Sequence, residues 1–334
     1  MKKYKFLTLT DHSGHSEHNS LYALMATLSQ HPQCESLQIA SRGNTANDAF
    51  FVDQKGSTVQ AKKIDKDFAF DASGNQFTQQ QKAVDLRDFD VIVMRLPRPI
   101  SDSFLEYLVS IDARLIFVNN PKGIIKTSTK QFLLNFPSVC PPMQLCHSAA
   151  EVVAFAQQSD MVLKPLREYG GKGIVKITNG TATDGQQQMP LADYLVSIQT
   201  ALEEDGYLAM KYLKNVSKGD KRILVVNGEI LASSLRLPAE GSWLCNVAQG
   251  GTSVPSEVAP EEEAMVKAIA PTLLKEGIVM FGADTLTDDD GKRVLSEVNT
   301  LSIGGFPQAG EQTGKPIVAM AINNLLDYVN SQSK

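Results

Sequence analysis

Residues 281 to 305, FGADTLTDDDGKRVLSEVNTLSIGG, constrain this chain more than any other stretch. Phe281 to Thr287 reads as a strand, and Asp288-Asp289-Asp290-Gly291 as a polar turn whose glycine supplies a positive φ. Lys292 to Asn299 reads as the returning strand. Period-2 alternation puts Val294, Ser296 and Val298 on one face and Leu295, Glu297 and Asn299 on the other. Folding at the turn brings Asp284 opposite Ser296 and Glu297. Two carboxylates and an amide then share one small area. These are hard oxygen ligands, suited to Mg²⁺ beside substrate phosphates rather than to zinc. A solvated hairpin with its acids in water fits the same letters, so the neighbouring stretches decide between the two.

A chain of 334 residues has room for two or three domains with real cores. A formal net charge of −5 offers no general attraction to nucleic acid or an anionic membrane. The first apolar run, within MKKYKFLTLT, is too short for a signal peptide and fits a buried strand, and no run is long enough to span a membrane. Cys34, Cys140, Cys146 and Cys245 have no zinc spacing and are too few for a disulfide scaffold, so a reducing cytoplasm is expected.

Tyr4 to Thr10 is the first expected strand, followed by the loop DHSGHSEHNS and a helix from Leu21 to Gln30. Such a loop lies at the carboxyl edge of an α/β sheet, where ligands bind. The spacing of His12, His15 and His18 fixes no metal geometry. Leu37 to Ala40 and Asp90 to Met94 are further strands, with polar loops or a small hairpin over 42 to 84. Arg95 and Arg98 follow the second of these and could hold an anionic substrate; surface arginines in a Pro-rich loop are the plainer alternative. A helix over Ser103 to Ile111 and a strand over Arg114 to Val118 complete this unit, which ends near Asn119.

Thr127 to Asn135 reads as a helix with Lys130 in its first turn. Met161 to Pro165 is a strand carrying Lys164, and Gly170-Gly171-Lys172-Gly173 follows before a strand from Ile174 to Ile177. Glycines there let backbone N–H groups approach an anion, with Lys164 beside them as a point charge. Residues 178 to 190 read as a flexible linker, Leu191 to Leu202 as a helix and Tyr207 to Tyr212 as a strand. Asn227-Gly228 joins strands from Asp220 and from Ile230 to Leu237 in a hairpin that can bring Arg222 and Arg236 together. A long loop over 238 to 256 is of a length that is usually functional. Pro260 to Glu276 and Pro316 to Val329 are helices.

In order, Lys130, VLKP, YGGKG, DKRILVVNGE, NVAQGG, APTLLKEGI, FGAD and SEVNTLS resemble the ATP-grasp superfamily, and within it bacterial glutathione synthetases, over roughly residues 85 to 330. The resemblance implies an α/β fold, α+β in its later part: a Rossmann-like substrate domain over 1–121, then ATP-grasp subdomains over 122–205 and 206–334. It implies an ATP-dependent carboxylate–amine ligase working through an acyl phosphate. Lys130, Lys164, Gly170, Gly171, Lys172, Gly173 and Asp220 would bind ATP, with Met210, Lys211, Tyr212 and Leu213 as the adenine hinge. Asp284, Glu297 and Asn299 would hold two Mg²⁺, or Mn²⁺ in their place. Arg222 and Arg236 would bind the acceptor carboxylate and stabilise the acyl phosphate, Asn246 would close over the site, and Ser302, Arg95 and Arg98 would meet the substrate. The partners implied are small molecules, peptides or amino acids, without nucleic acid or membrane, in a homodimer or homotetramer.

The chain departs from that pattern on the substrate side. Leu244-Cys245-Asn246 stands for Arg-Gly-Asn, Thr252 for an arginine, Leu96-Pro97-Arg98-Pro99 for Lys-Asp-Pro-Pro, and Gly304 for a threonine. Lost loop arginines remove anion donors that leucine and threonine do not replace. Three readings therefore stay open: a ligase joining γ-glutamylcysteine to glycine, an ATP-grasp ligase for another carboxylate and amine, and a nucleotide-binding homologue that does not catalyse.

Overall fold

The first apolar run becomes a strand buried along nearly its whole length, and the architecture grows from it. The structure, a computed structural model, describes residues 1–168, 171–185, 187–237 and 252–333, and every count below refers to these residues. Strands β1 (Tyr4–Thr10), β2 (Cys34–Ser41), β3 (Thr58–Lys63), β4 (Lys82–Asp85), β5 (Val91–Arg95) and β6 (Ile116–Val118) form one sheet in the order β4-β3-β2-β1-β5-β6. The four strands from β2 to β6 in this order run parallel, so Thr10, Ser41, Arg95 and Val118 end on one edge. The region expected to be loops or a small hairpin holds β3 and β4, paired antiparallel. Ser20–Gln30 is a helix capped by Asn19, whose side chain accepts from the Leu21 N–H at 2.9 Å. The closing helix Ile317–Gln332 returns to this sheet: Ile322, Leu325 and Val329 share a core with Tyr4, Leu24 and Leu28, and the Tyr4 hydroxyl donates to Asn330 at 2.9 Å.

A second sheet contains β7 (Met143–Cys146), β8 (Met161–Pro165), β9 (Val175–Thr178), β10 (Thr181–Asp184), β11 (Gln187–Pro190) and β12 (Tyr207–Lys211), ordered β11-β10-β9-β8-β12-β7. The expected linker over 178–190 is thus two short strands, because backbone pairing with β9 organises a stretch whose side chains give little pattern. Tyr207–Lys211 belongs here too, across the expected division at residue 205, because it pairs with both β8 and β7. The expected helix over 127–135 is replaced by an α-helix over Pro121–Thr127, capped by Asn120 with Pro at its first position, and a 3-10 turn over Lys130–Asn135. Lys130 remains in the first turn of the latter.

The third sheet is β13 (Asp220–Val226), β14 (Glu229–Leu237), β15 (Thr252–Ser256), β16 (Met280–Thr287) and β17 (Arg293–Asn299), ordered β15-β14-β13-β16-β17. A bulge in β17 changes the expected alternation. Asp284 pairs with Glu297 but Thr285 pairs with Leu295, leaving Ser296 as the extra residue. Leu295 and Val298 therefore turn into the same core, and Glu297 leaves the face on which strict alternation would have put it with Leu295.

Asn119 joins the first sheet to this hairpin. It is 5% exposed, and its amide nitrogen donates to the carbonyls of Met280 (2.7 Å) and Thr300 (2.8 Å) while its oxygen accepts from the N–H groups of Val279 and Met280 (both 2.8 Å). One side chain thus satisfies buried backbone at the start of β16 and just past the end of β17. Asn119→Ala is expected to lower unfolding free energy by on the order of 3 kcal/mol, because buried polar groups lose their partners. Urea denaturation would show this as a lower midpoint with an unchanged slope.

Candidate functional site

The register of the third sheet builds a row of charge. Arg222 in β13 faces Asp284 in β16, which faces Glu297 in β17. Directly paired residues share a face, so all three project to one side. Asp220, two residues before Arg222, faces Arg236 in β14 and adds a second row. Asp284 is 1% exposed and fully engaged: Arg222 donates through Nε (2.7 Å) and Nη2 (2.5 Å), Arg236 through Nη2 (2.8 Å) and Asn299 through Nδ2 (3.0 Å). Gly282 makes room for this, since a Cβ there would lie 3.2 Å from Arg222 Nε. Burial pushes the Asp284 carboxyl up, but the two guanidiniums outweigh it and hold the group below its usual range. Asp220 goes the other way: burial and the charge of Asp284 lift it to about 7, although Arg236 Nη2 donates to its Oδ2. Its Oδ1 is buried with no hydrogen-bond partner among the described residues.

The second sheet covers this face with cations. Lys164, 9% exposed on β8, lies in one cleft with Glu297, Asp220, Met210, Leu213 and Gly171. Burial lowers its pKa, partly offset first by Glu297 and then by Asp220. Lys130 lines an adjoining recess with Glu297; burial brings it down to about 8 against the pull of Glu297. Lysines from two separate segments thus meet the acidic hairpin. Gly171 (φ 79°) and Gly173 (φ 66°) are in the left-handed region, Gly171 lines the cleft, and Lys172 between them is exposed. Val162, Ile174, Met210, Leu213 and Leu286 give the cleft an apolar flank. Gly170 and Asn246, with Leu244 and Cys245 of the expected closing loop, lie outside the described residues.

The expected substrate residues sit where the first sheet meets the hairpin's exit. Arg95 is 6% exposed and donates to the Ile303 carbonyl at 2.9 Å, and burial lowers it to about 10. Ser302 has φ 42° and donates to the Leu96 carbonyl at 2.8 Å. The two side chains thus clasp the loops after β5 and β17 to each other. Arg98 donates to the Ser128 carbonyl at 3.2 Å, close enough to Lys130 to depress its pKa. Of the histidines, His12 stacks on Phe77 (centroids 4.7 Å apart) and His15 bonds the Tyr22 hydroxyl at 2.9 Å, while His18 is exposed.

Two contributions had no sequence signal. Val162, Ile174 and Leu286 look like any strand residue. Behind the charged row, Lys221 donates to Glu262 at 2.7 Å and Thr285 donates to its other oxygen at 2.7 Å, which pins the helix Pro260–Lys275 under the site. Among the described residues no cluster of three or more His, Cys, Asp and Glu side chains is placed to hold a metal alone. The oxygens of Glu297 and Asn299 and the buried Asp220 Oδ1 nevertheless fit a hard cation that takes its remaining ligands from phosphate and water, and Asp284 would join them once its oxygens are released by Arg222 and Arg236.

Comparison with known proteins agrees with this geometry. Residues 129–314 match the family described as prokaryotic glutathione synthetase, ATP-grasp domain. A glutathione synthetase of Rhodopseudomonas palustris is 28% identical over 276 residues, covering 81% of this chain and 82% of that protein. One from Parasynechococcus marenigrum is 30% identical over 249 residues, covering 73% and 77%. The crystal structure of the D-cycloserine synthetase DcsG superposes with a TM-score of 0.65 at 12% identity, covering 97% of this chain and 99% of that one. That likeness extends the shared fold through the first sheet. The motifs, the family match and the relatives agree on an ATP-dependent C–N ligase, and the chain belongs to the prokaryotic glutathione synthetase family of ATP-grasp proteins.

Proposed function

We propose that this ligase joins γ-glutamylcysteine to glycine, as the name of its relatives suggests, and that it does so with ATP and Mg²⁺. The observation that carries the reading is the convergence of Lys164 and Lys130 on Glu297, which lines both the cleft beside the glycine loop and the recess adjoining it. Lys164 and Lys130 neutralise the triphosphate, and backbone N–H groups around Gly171 to Gly173 cradle it. Asp284, Glu297 and Asn299 would hold Mg²⁺, which would supply charge neutralisation for the phosphates. Arg222 and Arg236, now on Asp284, are within reach of an acceptor carboxylate and of the charge that builds on it.

The acceptor carboxylate oxygen attacks the γ-phosphorus, and the bond to the ADP oxygen breaks. The glycine amine then attacks the acyl carbon, the carbon–oxygen bond to phosphate breaks, and the amine loses a proton. Catalysis is positioning and electrostatic stabilisation. Asn246 is assigned to the loop that excludes water from the acyl phosphate. The protein acts in the cytoplasm.

A second reading, an ATP-grasp ligase for another carboxylate and amine, draws support from the acceptor side. Ser302 and Arg95 spend hydrogen bonds on the clasp between loops, and Arg98 stands where the family pattern has a proline. ADP release measured with γ-glutamylcysteine and glycine, beside a panel of other carboxylates and amines, separates the two. Turnover that requires the first pair is expected. Turnover only with another pair moves the assignment to the second reading, and nucleotide binding without turnover on any pair leaves a non-catalytic homologue.

Two further outcomes are expected. Glu297→Gln should reduce Mg²⁺-dependent turnover by on the order of a hundredfold or more while the melting temperature stays within about 2 °C, because a charged oxygen is lost from a partly exposed position. The ammonium form of Lys130 is the one that binds phosphate, and it is present below its value of about 8. Nucleotide affinity should therefore hold below pH 8 and fall by up to about tenfold per pH unit above it. Lys130→Arg, with a fixed charge, should flatten that profile in calorimetric titrations with ADP.

A further inference from the structure

The mechanism leaves the acidic turn of the hairpin, Asp288 to Gly291, without a task. Its two leading aspartates do different things. Asp288 works inside the turn: its Oδ1 accepts from the N–H groups of Asp290 (3.0 Å) and Lys292 (2.8 Å), and its own N–H donates to the Lys292 carbonyl at 2.8 Å. The turn is stiffened as a result. Asp289 reaches outward. Its Oδ2 lies 2.9 Å from Lys211 Nζ, and its Oδ1 accepts from the Lys214 N–H at 2.9 Å. Beside it, Asn215 Nδ2 donates to the Asp288 carbonyl at 2.6 Å.

These contacts fall on either side of Tyr212 and Leu213, which line the cleft. The segment has left β12 and has not yet entered β13, so no ladder holds it. Its anchorage upstream comes from the N–H groups of Lys211 and Tyr212, which donate to the Pro142 and Asp160 carbonyls at 2.9 Å each. Downstream of Tyr212 the acidic turn supplies the tie. The same hairpin gives the cleft Leu286, Ser296 and Glu297. One stiff element therefore touches both ends of the nucleotide cleft.

We propose that Asp289 is a positioning residue for base selection, holding the hinge over Lys211 to Asn215 so that its backbone can read an adenine edge. The proposal rests on the nucleotide reading of the cleft. Hydrogen-bond discrimination between purine edges requires a backbone held to within about half an ångström. A loosened hinge also has to be ordered by each ligand that binds, which weakens affinity. Asp289 and Lys211 side chains are 26% and 34% exposed, so removing the pair opens no core.

Calorimetric titration of the full chain with Mg·ADP and Mg·GDP, without acceptor, tests this independently of which amide is made. Wild type should prefer ADP. Asp289→Ala should weaken ADP by about tenfold and shrink the ADP-to-GDP preference by about fivefold or more. Asp289→Asn, which keeps an oxygen for the Lys214 N–H, should lose less of both. Lys211→Met should reproduce part of the loss from the hinge side. The ratio is the deciding quantity, since a general loss of stability does not change it. An unchanged ratio in Asp289→Ala, whether both affinities hold or both fall together, overturns the proposal. Wild type that binds neither nucleotide overturns the reading of the cleft and this inference with it.

Discussion

A carboxylate that is 1% exposed has to be paired, and much of the third sheet is arranged so that Asp284 can be. An unpaired ion there would be costly, and removing one partner of a buried pair typically costs about 3–5 kcal/mol. Arg222 meets it from the next strand in direct register, Arg236 from one strand further, and Asn299 from the returning strand. The absent side chain of Gly282 and the bulge at Ser296 both serve this arrangement, the first by admitting a guanidinium and the second by turning Glu297 onto the same face. In the function proposed above, positive charge on the pair of arginines would thereby be fixed where negative charge builds on the acceptor. Such pre-set electrostatics needs no reorganisation at the moment of transfer.

The two halves of the cleft differ in how much of them shows in the letters. Lys130, Lys164, the glycine loop and the acidic hairpin are legible because each depends on a residue type at a fixed offset from a strand or turn. The acceptor half depends on loops that close against each other, and there Arg95 and Ser302 turn out to hold backbone carbonyls. A serine or arginine in a loop carries no mark that distinguishes a ligand contact from a clasp.

Failures of the pattern reading elsewhere have the same kind of cause. Strict alternation misplaced Glu297 relative to Leu295 because one extra residue inverts the faces beyond it. The strands at Thr181–Asp184 and Gln187–Pro190 arise from pairing with a neighbour, which polar side chains do not advertise. The helix from Pro121 did have a signal, Asn-Pro at its start, hidden by treating the same residues as the end of the preceding unit. Asn119 could not have been weighed at all, since its four partners lie some 160 to 180 residues away.

The return of Ile317–Gln332 to the first sheet has a consequence for how the chain is made. Tyr4, Leu24 and Leu28 emerge early from the ribosome, yet the residues that cover them, Ile322, Leu325 and Val329, are synthesised some three hundred positions later. Until then the apolar layer formed by the first sheet and its first helix lacks that cover, and transiently exposed apolar surface of this kind favours aggregation unless chaperones bind it.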